Sequence, residues 1–220
     1  MQTKMQFQKN ANVIAANGKP VGQIDRVVVD PRSNVVTHLV VHKGILFDQE
    51  DKIIPIDLVS ETSPDEIVLR DEAGDLESFP PFEEEHIVDT EAGYEPPVSS
   101  GKEDTQPLIY VSPMLGMPTP PVHAERFMTQ IEKNIPDGAV AMKEGAKVIS
   151  ADGKHVGNVE RVFTDIADEQ ITHLLVSAGT FTKKTKLVPI DWVKDVNEEE
   201  VNLRVYKVSV DELLDTSLPK

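Results

Sequence analysis

The sequence predicts an all-β protein built from two small β-barrels in tandem, joined by a proline-rich connector. Three observations predict it. NGKPVGQIDRVVVDPRSNVVTHLVVHKG at 17–44 returns as DGKHVGNVERVFTDIADEQITHLLVSAG at 152–179. Each copy breaks into short β-prone runs separated by turn residues. Between the copies the composition changes to proline and acid.

The repeat is the firmest of the three. Gly18, Gly22, Arg26, Asp30, Thr37, His38, Leu39, Val41 and Gly44 recur, 135 positions on, as Gly153, Gly157, Arg161, Asp165, Thr172, His173, Leu174, Val176 and Gly179. IIPIDLV at 53–59 returns as LVPIDWV at 187–193, now 134 positions on. One residue is therefore lost between them, near 47–51 and 182–185, and a hairpin tip tolerates such a change best.

Within a copy, the first apolar strand (Asn12–Ala15; Lys147–Ser150) ends at a turn dipeptide, Asn17-Gly18 or Asp152-Gly153, where glycine accepts φ > 0. A second strand runs to Asp30 or Asp165, and a polar turn follows. Val35–His42 and Gln170–Ser177 are the most β-prone runs. A loop leads to Lys52–Ile56 and Leu187–Ile190, and Glu66–Arg70 and Glu200–Val205 close each copy. Pro55 and Pro189 cannot donate to a ladder and belong at a strand end or edge.

Strict alternation along the central strand sets Val36 and Val40 against Leu39 and Val41, and Ile171 and Leu175 against Leu174 and Val176. Both faces are then apolar, so the outer one is expected to be covered by the other barrel or by a second chain. Val36, Val40, Ile171 and Leu175 are the candidate interaction face.

The domains read as 7–78, a connector over 79–138, and 139–215. Extended or disordered backbone is the default for the connector. It holds two apolar islands: Leu108–Val111, and a short amphipathic helix expected over 122–133 from the spacing of Phe127, Met128 and Ile131. In the tail, Val210, Leu213, Leu214 and Leu218 suit a docking turn or helix.

Composition excludes several classes. With 38 acidic against 22 basic residues the net charge is −16, a field that repels phosphate backbones and anionic lipid. There is no cysteine, hence no disulfide, thiolate chemistry or cysteine-bound zinc, in keeping with a reducing cytoplasm. Residues 1–10 lack the apolar core of a signal peptide, and no run approaches the roughly 18 apolar residues of a membrane span. A cytoplasmic protein is expected.

No catalytic, cofactor-binding or metal-binding residue emerges. His38 and His173 recur in Thr-His-Leu, but no second ligand lies at H-x-x-x-H or H-E-x-x-H spacing, and a structural role is expected. His42, His86, His123 and His155 have no counterpart and read as solvated. Asp57 and Asp191 read as caps of the turn that follows Pro-Ile. Arg26 and Arg161 each follow an acid, Asp25 or Glu160, and read as local ion pairs. Lys183, Lys184 and Lys186 form a basic hairpin tip.

The pattern Gly18…Val21-Gly22…Val27…Asp30…Thr37-His38-Leu39-Val40-Val41…Ile54-Pro55-Ile56…Val59, with its second set from Gly153 to Val193, resembles the PRC-barrel family. That family is named for the cytoplasmic domain of the photosynthetic reaction-centre H subunit. The resemblance covers both repeats and leaves the connector outside. It implies small barrels that bind other proteins or assist assembly, usually without catalysis. It offers two further readings: a ribosome- or RNA-associated assembly factor, by analogy with RimM-type barrels, and a reaction-centre role. The chain lacks the membrane helix of the H subunit and the separate N-terminal domain of RimM-type proteins, and no functional residue of the family maps onto it. The expected function is a non-enzymatic scaffold that binds a protein partner or self-associates, without cofactor or small-molecule ligand. A metal-dependent enzyme is the remaining alternative.

Overall fold

The computed structural model describes residues 5–8, 10–43, 50–74, 76–89, 127–143, 145–178 and 184–216. The fold is two tandem barrel-like halves, each a seven-stranded sheet. The first repeat supplies β2 (Asn12–Ile14), β3 (Pro20–Asp30), β4 (Val35–Lys43), β5 (Glu50–Pro55), β6 (Val59–Thr62) and β7 (Glu66–Leu69). The second supplies β11 (Lys147–Ile149), β12 (His155–Thr164), β13 (Ile171–Ala178), β14 (Lys184–Pro189), β15 (Val193–Val196) and β16 (Glu200–Leu203). The strand orders, β5-β4-β3-β2-β7-β6 and β14-β13-β12-β11-β16-β15, are the same order twice.

The seventh strand of each sheet comes from the wrong repeat. Strand β1 (Met5–Gln8) precedes the first repeat in sequence yet pairs antiparallel with β12, setting Met5 opposite Thr164 and Gln8 opposite Arg161. Strand β10 (Val140–Lys143) precedes the second repeat and pairs with β3, setting Val140 opposite Val29 and Lys143 opposite Arg26. The barrels thus trade their leading strands in matching registers. Phe7 and Met142, the equivalent residues of the two, are both buried in one continuous core fed by both repeats.

Local chemistry accounts for the turns. Gly18 (φ 81°) and Gly153 (φ 72°) supply the left-handed residue of each first hairpin. In the next turn, Asp30 accepts the Arg32 N–H at 2.9 Å and the Ser33 hydroxyl at 2.7 Å, and these bonds hold its carboxyl below the ordinary 3.8. Pro55 and Pro189 each end a strand at the sheet edge, as expected.

The central strands contain a bulge that strict alternation misses. Along β4, His38 pairs with Val28 and Val36 with Val29, so Thr37 is an extra residue. Along β13, Thr172 is the extra residue in the same way. Each bulged threonine returns its hydroxyl to the backbone, Thr37 to the Val28 carbonyl at 3.4 Å and Thr172 to the Phe163 carbonyl at 3.2 Å.

Two expectations for the connector are corrected or lie beyond view. Residues 127–133 form a strand, β9 (Phe127–Lys133), paired with β8 (Glu83–Asp89) in a two-stranded sheet, where a helix was expected over 122–133. Backbone pairing with β8 decides the outcome: Ile131, which the helix would have buried, is 56% exposed. In that sheet His86 lies 3.5 Å from Glu132 and 3.7 Å from Glu84. Residues 122–126 and Leu108–Val111 lie outside the described residues.

The tail folds back on the second barrel as α1 (Lys207–Asp211), with Val210 in the core and Leu213 packed against it. Lys184 and Lys186, two of the hairpin-tip lysines, reach Asp215 at 3.0 and 3.5 Å, and Lys186 also donates to the Asp211 carbonyl. The tip is thereby spent on docking the tail. Lys183 and Leu218 lie outside the described residues.

Candidate functional site

The four residues of the expected interaction face are buried within this chain: Val36 and Val40 at 0% exposure, Ile171 and Leu175 at 3%. They do not share one face. The bulges at Thr37 and Thr172 turn Val36 and Ile171 inward, so both join Leu39, Val41, Leu174 and Val176 in the main core. Val40 does lie on the outer side, in a small second core with Val28 and Ile53. Its cover is neither the second barrel's sheet nor another molecule. Phe82, Ile135, Ala139 and Ala141, from the two ends of the connector and from β10, close over it.

The residues weighed for chemistry also resolve into structure. Burial holds His38 below its ordinary 6.5 despite the nearby Asp57 carboxylate, so the ring stays neutral at neutral pH. His42 is not solvated alone: its Nδ1 lies 2.6 Å from Asp51 on the neighbouring strand. Asp57 and Asp191 lie inside 3₁₀ turns (Ile56–Leu58; Ile190–Trp192) that follow Pro55 and Pro189, and neither turn has a side-chain cap. The prolines already fix the turn entry. Arg26 does pair with Asp25 at 3.1 Å, but it also reaches Glu198 of the other repeat at 3.3 Å and lies over the Phe82 ring at 5.2 Å. Lys133 bonds the same Glu198. Arg161, 8% exposed, donates to the side-chain carbonyls of Gln6 and Gln8 on the exchanged strand. Among the described residues no group of three or more His, Asp or Glu side chains is arranged to hold a metal ion.

Arg70 and Arg204 were not singled out in the sequence, because a lone arginine at a strand end carries no motif. Each bonds the strand before it: Arg70 Nε to the Val59 carbonyl at 3.2 Å, Arg204 Nη2 to the Val193 carbonyl at 2.6 Å. Just past them the two barrels diverge. In the second, Ser150, Asp152 and Lys154 interlock, with Asp152 accepting Ser150 Oγ at 2.7 Å and Lys154 Nζ at 2.8 Å. The following chain, Val205–Lys207, closes over them: the Ala151 N–H donates to the Val205 carbonyl at 2.8 Å and the Lys207 N–H to Asp152 at 3.1 Å. These bonds drive the Asp152 carboxyl far below its ordinary value, Lys154 first, then Ser150 and Lys207.

In the first barrel the same positions are Ala15, Ala16, Asn17 and Lys19, and they line an open cleft of about 440 Å³. Lys43, Arg70, Asp71 and Glu77 also line it. Lys43 and Glu77 pair at 2.6 Å. The chain leaves this end early, turning after Arg70 into a 3₁₀ turn, Asp71–Ala73, that sends Ala73 into the core.

A second surface feature lies on the tail. Tyr206, Val208 and Leu214 are 63%, 62% and 87% exposed, on a segment anchored by Val210 and Leu213. Spacing in a short helix explains it: Val210 faces inward, and the residue two positions before it faces out.

A family model described as PRC-barrel domain matches residues 9–76 and 144–212. Each match opens one residue after an exchanged strand, β1 ending at 8 and β10 at 143. A search of curated proteins returns no match.

Proposed function

The chain belongs to the PRC-barrel family, and from that premise we propose a non-enzymatic scaffold that binds a protein partner through the tail surface of its second barrel. One observation supports the reading: Tyr206, Val208 and Leu214 are each exposed on one short segment whose other apolar residues, Val210 and Leu213, fix it to the core. Exposed apolar side chains on a firm base suit protein association, and tyrosine is enriched in such interfaces. A scaffold needs its surfaces held in fixed relation. The exchanged strands and the Arg26–Glu198 pair between repeats serve that need. No helix among the described residues is long and apolar enough to cross a membrane.

A photo-crosslinking residue at position 206 of the full-length protein tests the reading. The expected product is a stoichiometric adduct with one partner, or with a second copy, that disappears when Val208 and Leu214 are both changed to Asp. No adduct, together with a strictly monomeric mass by light scattering, overturns it.

A further inference from the structure

We propose that the open end of the first barrel is a docking site for an extended peptide of a partner protein carrying an acidic side chain. The proposal rests on the scaffold reading and adds to it a second surface and the chemistry of its ligand.

The second barrel supplies the template. There the chain itself fills the equivalent end, extended at Tyr206 (φ −75°, ψ 157°). Three bonds hold it: the Val205 carbonyl on the Ala151 N–H, the Lys207 N–H on Asp152, and the Lys207 ammonium on the His155 carbonyl at 3.0 Å. Ala16, Asn17 and Pro20 occupy those three positions in the first barrel. Because the chain turns away after Arg70, the Ala16 N–H has no acceptor among the described residues. A carbonyl of an extended peptide satisfies it, as one does in the second barrel. The Asn17 side-chain carbonyl, which accepts the Lys19 N–H at 3.0 Å, has a second lone pair for a peptide N–H. The cleft volume lies within the ~300–1,000 Å³ usual for ligand sites.

Charge selects the side chain. In the second barrel the Asp152 carboxylate pairs with the Lys154 ammonium and takes the Lys207 N–H, while the Lys207 ammonium donates to the nearby His155 carbonyl. Asn17 removes that charge, and Lys19, the counterpart of Lys154, has no carboxylate partner among the described residues. Of the two acids in the wall, Glu77 is engaged by Lys43, which leaves Asp71. A lysine in the place of Lys207 would come against Lys19 with no carboxylate at position 17 to offset it, whereas a glutamate there can pair with Lys19.

Two terminally blocked pentapeptides test this by titration against the full-length protein: Arg-Val-Tyr-Glu-Val, and Arg-Val-Tyr-Lys-Val, the tail's own sequence. The glutamate peptide is expected to bind about tenfold more tightly than the lysine peptide. Asn17→Asp, which restores the second barrel's charge, is expected to reverse that order, and a reversal cannot come from misfolding. Lys19→Gln, at an exposed position, is expected to weaken only the glutamate peptide. Binding of neither peptide, an order indifferent to Asn17→Asp, or equal competition by acetate overturns the proposal. The crosslink at position 206 reports on the other barrel, so either reading falls without the other.

Discussion

Val35 and Gln170 are the same position of the two repeats, and they face one another in a single antiparallel bridge. Beside them the Val36 N–H donates to the Glu169 carbonyl at 3.1 Å, and the Ile171 N–H to the Asn34 carbonyl at 2.8 Å. Residues that meet their own counterparts define a two-fold contact between like subunits. Here both subunits lie on one chain.

Asn34 and Glu169, next to that bridge, both have left-handed backbone, at φ 57° and 59°. Asparagine tolerates this conformation and glutamate does not. Burial, and then Asp57, also push the Glu169 carboxyl above its ordinary 4.5, against the pull of Arg70. Glu169→Asn is therefore expected to stabilise the protein by about 1 kcal/mol in urea unfolding at pH 7. The pH dependence follows from the sign of the shift. A raised carboxyl binds its proton more tightly in the folded state, so the wild type loses stability as pH rises from about 4.5 through the folded value. The variant's advantage should be smaller at pH 4 than at pH 7.

Two of the recurring glycines in the second repeat differ in what they tolerate. A Cβ on Gly157 would lie 2.3 Å from the Ser177 carbonyl oxygen, whereas one on Gly153 meets nothing within 4 Å. Gly157→Ala must part β12 from β13, at about 3 kcal/mol or more. Gly153→Ala meets only the cost of its positive φ, about 1 kcal/mol. Thermal midpoints of the two variants should fall in that order.

Phe7 stands just before the first repeat in sequence, yet in space it lies on a strand paired with the second. Phe7→Ala is expected to cost about 3–5 kcal/mol. Hydrogen exchange locates the damage: protection should fall first at Arg161–Thr164, opposite β1. Loss confined to β2 and β3 would contradict the exchanged pairing.

Asp152 ties the first hairpin of the second barrel to the tail. Asp152→Asn is expected to lower the thermal midpoint and to loosen α1. Because this carboxyl is held below its ordinary 3.8, its contribution is full above that value and fades as pH falls through the folded one. Wild-type and variant midpoints should thus differ by a constant amount above about pH 5 and converge in stronger acid.

The repeat, the turn glycines and the edge prolines were legible because each is a local matter, fixed by φ or by a missing N–H. Val36 and Ile171 were misplaced because a bulge adds one residue to a strand without changing its composition, and Thr37 reads like any other β-branched residue. The exchange of β1 and β10 was invisible for a different reason. MQFQ and VAMK fix a strand but not its partner, and both candidate barrels offer the same edge. The first-barrel cleft rests on where the chain turns after Arg70. Only comparison with Val205–Lys207 reveals that departure, and the one-letter difference between Asn17 and Asp152 gives no hint of it.

The traded strands bear on how such a chain can evolve. A duplicated module ordinarily stays separable, free to be lost, copied again or transplanted into another protein. Here each half carries a strand that the other half's sheet requires, so a deletion or recombination joint falling between them leaves an incomplete sheet on both sides. With the leading strands crossed over, the two copies are a single heritable piece, and divergence at positions such as 17 and 152 proceeds within one gene.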